Sequence, residues 1–76
     1  MKPSSAQRDD FLAHRPVDGV RFEHNDFVSV IDGTHAGDSG SIVSVEELDD
    51  DPIYLVELES NQDAYISQSF LRLGVA

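Results

Sequence analysis

From Val20 onward the apolar residues recur at every second position in short runs, and each run stops at glycine, proline or a polar cluster. A period of two places successive side chains on opposite faces of an extended chain, so this stretch reads as consecutive half-buried β-strands. Val28 and Val30 alternate with Ser29 and Ile31 before Asp32-Gly33 interrupts. Gly33, Gly37 and Gly40 fall in the following loop, where glycine can supply positive φ, and Gly40 would let the chain turn sharply into the next strand. Ser41 to Val45 is rich in β-branched residues. Glu46 to Pro52 is an acidic turn with a proline stop. In Ile53–Glu59, Glu57 and Glu59 mark the wet face and Val56 and Leu58 the dry one. Ala64-Tyr65-Ile66 makes a short strand, Ser67-Gln68-Ser69 a single tight turn, and Phe70–Leu73 a closing strand.

Five short antiparallel strands must hide their edges and one apolar face, and a small closed barrel does both. The expected interior is Val28, Val30, Ile42, Val45, Val56, Leu58 and Leu71. The expected fold is therefore all-β, a small five-stranded barrel over residues 20–76, preceded by a short helical arm over residues 1–19. In that arm Ser4 and Gln7 have capping-box spacing, and Pro16 ends any helix at about Arg15. Phe11 and Leu12 are its main apolar anchors, and a helix of about ten residues is marginal without docking, so the arm is expected to be partly ordered. With 76 residues there is room for one domain.

The segment Asn25 to Val43, a hydrophobic strand, a glycine-punctuated loop with Gly33, His35, Gly37 and Gly40, then Ser41-Ile42-Val43, resembles the KOW motif. That motif occurs in SH3-like barrels of ribosomal large-subunit proteins and NusG-type transcription factors. The resemblance implies that the barrel is SH3-like and, as one functional reading, a ribosome- or transcription-associated RNA-binding module.

Charge argues for a different partner. The chain carries a formal net charge of −10. Residues 22–76 hold every acid except Asp9, Asp10 and Asp18, but only one base, Arg72. Phosphate backbones are held mainly by Lys and Arg, so such a surface repels nucleic acid and favours cationic partners. Solubility is the alternative explanation of this acidity. The densest acidic cluster is Glu46, Glu47, Asp49, Asp50 and Asp51, at one hairpin tip. Steering by charge gives rate more than affinity, so an apolar anchor is also required. Tyr54 and Tyr65 are the candidates, since a phenol can keep its hydroxyl wet.

Other chemistries find little support. Gly37-Asp38-Ser39-Gly40 matches the four residues around a trypsin-like nucleophile, but a catalytic Ser also needs a partnered His and Asp and an oxyanion hole. His14, His24 and His35 lie ten and eleven residues apart, outside zinc-ligand spacing, and Asp49–Asp51 lacks the alternating ligands of a calcium loop. There is no cysteine for a disulfide or thiolate site and no apolar run long enough for a membrane helix. The expectation is a small acidic, non-enzymatic, cofactor-free monomer of a bacterial-type cytoplasm, away from membranes, that binds a protein partner with a basic surface. The RNA-binding reading is the alternative.

Overall fold

The alternation resolves into five strands in the computed structural model, which describes residues 1–74. The elements are α1 (Ser5–Leu12), β1 (Phe27–Val30), β2 (Ser39–Glu47), β3 (Ile53–Leu58), β4 (Asp63–Ser67) and β5 (Leu71–Leu73), with a 3₁₀ turn at Gln68–Phe70 between the last two strands. Residues 75 and 76, the end of the expected 20–76 unit, lie outside the described residues.

All strand pairings are antiparallel, in the order β4-β3-β2-β1-β5. β4 pairs only with β3, and β5 only with β1, so the sheet is open. This corrects the closed SH3-like barrel. The sheet ends in a three-residue strand, and the 3₁₀ turn carries the chain away from β4 before that strand begins. With α1 included, the fold is mixed α+β rather than all-β. Register shifts in β2 between Ile42 and Ser44 and between Val45 and Glu47 locally interrupt its pairing with β3, as β-bulges do where a sheet bends.

The expected interior residues Val28, Val30, Ile42, Val45, Val56, Leu58 and Leu71 are all buried. They are joined by Phe11, Phe22, Tyr54, Ala64 and Ile66. Tyr54 is fully buried; its ring meets Phe22 edge-on at 5.6 Å, and its hydroxyl donates to Gln68 Oε1. The same oxygen accepts from the Arg21 N–H at 2.9 Å, and Gln68 Nε2 donates to the Gly19 carbonyl at 3.1 Å. One buried amide thus ties the chain before β1 to the turn after β4, with its polar atoms satisfied.

The arm is ordered. Ser4 and Gln7 form the capping box. The helix ends at Leu12, earlier than Pro16 alone requires, because His14 adopts φ 61. Its N–H then bonds the Phe11 carbonyl and that of Arg15 the Asp10 carbonyl, a Schellman closure. Phe11 is buried, with its ring 6.3 Å from Tyr54, whereas Leu12 is 50% exposed. Among the described residues no helix is long and apolar enough to cross a membrane.

Candidate functional site

The open sheet leaves β4 with one unpaired edge. The β3–β4 connection is the four-residue stretch 59–62: the Asn61 N–H bonds the Leu58 carbonyl at 3.0 Å, Asn61 takes φ 68, and the Leu58 N–H bonds the Gln62 carbonyl at 2.8 Å. Asparagine tolerates that left-handed position, so the turn fixes the register. Leu58 and Gln62 are therefore a hydrogen-bonded pair. Antiparallel ladders alternate, so Val56/Ala64 and Tyr54/Ile66 are bonded pairs too, and the Gln68 N–H bond to the Pro52 carbonyl at 2.7 Å continues the phase. The intervening residues Asp63, Tyr65 and Ser67 direct their backbone N–H and C=O groups away from β3, toward the open edge.

A cleft of about 260 Å³ lies beside that edge. Val30, Ile66 and Phe70 provide its apolar lining, and Asp32, Thr34, His35, Tyr65 and Ser67 the remainder. The loop opposite β4 is held by specific conformations. Gly33 takes φ 81, and a Cβ there would sit 3.0 Å from the Phe70 ring, so glycine lets the loop lie on Phe70. Gly37, at φ 95, bonds the Val30 carbonyl through its N–H at 2.9 Å. Gly40 differs from its expected role: it needs no positive φ, and it is required because a side chain would strike the β3 backbone.

Tyr65 is 69% exposed and borders both this cleft and a groove of about 210 Å³ that it shares with Ile53, Lys2, Glu46 and Glu47. Tyr54 is corrected: with its ring inside and its hydroxyl on Gln68, it offers nothing to a partner. Burial holds its phenol above the ordinary value, against smaller opposing effects of the backbone at Phe22 and Arg21 and of the Arg21 charge.

The acidic tip is largely engaged within the chain. Glu47 faces the Met1 amino group at 3.2 Å and Lys2 at 3.3 Å, which hold its carboxyl below the usual range. Asp49 lies 3.0 Å from the same amino group, and Glu46 lies 4.0 Å from Arg8. Asp51 accepts from both the N–H and hydroxyl of Ser69, at 2.8 and 2.5 Å. Asp50 is exposed, and no salt bridge joins it to another described residue.

In the Gly37–Gly40 loop, the Asp38 carboxylate accepts from Ser60 Oγ at 2.7 Å and the Ser39 N–H at 2.8 Å. These bonds, the first above all, and the nearby His35 charge keep its pKa low. No hydrogen bond joins His35 to Ser39 among the described residues. His14 and His24, distant in sequence, have ring centroids 6.3 Å apart. His24 Nδ1 donates to the Val43 carbonyl at 2.8 Å and His14 lies 3.5 Å from Glu23. The described residues contain no cluster of three metal-ligating side chains.

Comparison of the chain with protein-family models, with curated proteins and with solved structures finds no match. The KOW resemblance is corrected accordingly: Phe27–Val30 and Ser39–Glu47 do form a glycine-punctuated hairpin, but within an open sheet and without a matching family.

Proposed function

We propose that this chain is a non-catalytic binding module that takes a basic protein partner at the β4 edge and its cleft. The observation that carries this reading is Tyr65, an exposed ring on an unpaired edge strand, beside a largely polar cleft that includes Asp32, in a chain of net charge −10. An amphipathic ring supplies contact area at low entropic cost, while the surrounding field accelerates encounter with cations. The tip contributes less than its composition suggests, because Glu47, Asp49 and Asp51 already have partners. The unit works as a monomer, since two copies at −10 repel one another, and its lack of cysteine suits a reducing cytoplasm.

The test is a titration with capped lysine-rich and glutamate-rich peptides and a mixed-sequence RNA oligonucleotide, at low and high salt. Lysine-rich peptide should bind, lose affinity as salt rises, and bind Tyr65→Ala several-fold more weakly. Equal binding of both peptides, or preference for the RNA, would overturn the reading.

A further inference from the structure

We infer that the partner segment binds as an extended strand added to β4, with small apolar side chains turned into the cleft and lysines or arginines turned outward. This rests on the basic-partner reading above and specifies its geometry. The backbone supplies the first reason. Asp63, Tyr65 and Ser67 aim their N–H and C=O groups at the open edge, so a segment in register can be held by main-chain hydrogen bonds whatever its sequence.

The two faces of β4 supply the second. Ala64 and Ile66 point inward and are buried, while Asp63 and Tyr65 point outward and are exposed. An added strand continues both faces about 4.8 Å further along the sheet. Its inward residues enter a cleft where the half-buried Phe70 ring is the main apolar contact and Asp32, Thr34 and His35 are polar, which suits side chains no larger than valine. Its outward residues run beside Asp63 and near Glu57, the residue that Asp63 opposes on β3. Asp63 and Glu57 favour a cation at the outward positions beside them, and the net charge of −10 disfavours a second copy of this chain. Asp32, also exposed, adds negative charge to the cleft.

Ser67 gives a direct way to test the geometry. Its backbone sits at φ −68, ψ 145, which proline adopts without strain, and its N–H faces the open edge rather than β3. Ser67→Pro therefore removes an edge donor while leaving the β3–β4 ladder intact. The probes are a short capped peptide alternating lysine and valine, the same peptide N-methylated at alternate residues, and a helical lysine–leucine peptide, each titrated into the full chain.

The expected result is that the alternating peptide binds, and that N-methylation and Ser67→Pro each weaken it by about tenfold or more. Equal binding of the N-methylated and unmodified peptides would overturn strand addition, whether or not Ser67→Pro folds. Binding of the helical peptide alone would overturn it too, while leaving the basic-partner reading standing. Failure of every cationic peptide to bind would overturn both. A dimer in sedimentation that Ser67→Pro dissolves would assign the edge to a second copy and overturn the proposal.

Discussion

Gly40 on β2 lies directly against the Glu57 carbonyl of β3, so closely that a Cβ at position 40 would collide with that oxygen and lie 2.8 Å from Leu58 Cα. Both obstacles are backbone in a paired strand and cannot swing aside. Gly40→Ala should therefore cost about 1–3 kcal/mol, as overpacking does. Gly37→Ala meets open space and costs only the strain of its positive φ, about 1–2 kcal/mol. Urea midpoints of the two variants give the comparison, and a larger loss at position 40 is expected.

The buried Tyr54 phenol makes stability sensitive to alkali. Its pKa in the folded chain is raised above the ordinary value near 10. The fold therefore favours the neutral phenol, and this contribution is intact below about pH 10 and lost as pH rises beyond it. Tyr54→Phe should cost about 1 kcal/mol at neutral pH, from the lost bond to Gln68, and should flatten the alkaline decline. Denaturant midpoints across that range, compared with wild type, check both.

Phe11 fastens the helix. Truncation to alanine should cost about 3 kcal/mol or more, and α1, only eight residues long, should fray with it. Far-UV circular dichroism of Phe11→Ala should then lose helical signal before the sheet melts.

The hairpin tip separates structural from free carboxylates. Asp51→Ala removes the acceptor of two Ser69 bonds and should cost about 1 kcal/mol. Asp50→Asn should change stability by less than about 0.5 kcal/mol. Thermal midpoints distinguish them.

Much of the strand pattern was legible from period and turn chemistry, which is why Val28, Ile42, Val56 and Leu71 lie inside as expected. Tyr54 was legible as well, since it is in phase with Val56 and Leu58; the wish to keep a hydroxyl wet was outweighed by burial with a partner in Gln68. That partner had no local sign, because Gln68 lies fourteen residues from Tyr54 and meets it only through the fold. Closure was not legible for the same reason. Whether β4 meets β5 depends on how the 3₁₀ turn at Gln68–Phe70 directs the chain, and alternation cannot report it. The exposed edge, and with it the role given to Tyr65 and Ser67, follows from that non-local outcome.

Residue-resolved amide hydrogen exchange of the free chain tests the open β4 edge most directly. Ala64 and Ile66, bonded to β3, should exchange slowly, whereas Asp63, Tyr65 and Ser67 should exchange fast. Addition of the alternating lysine–valine peptide should then slow Tyr65 and Ser67. Protection of Tyr65 and Ser67 in the free chain, equal to that of Ala64 and Ile66, would mean the edge is already paired and would contradict the account.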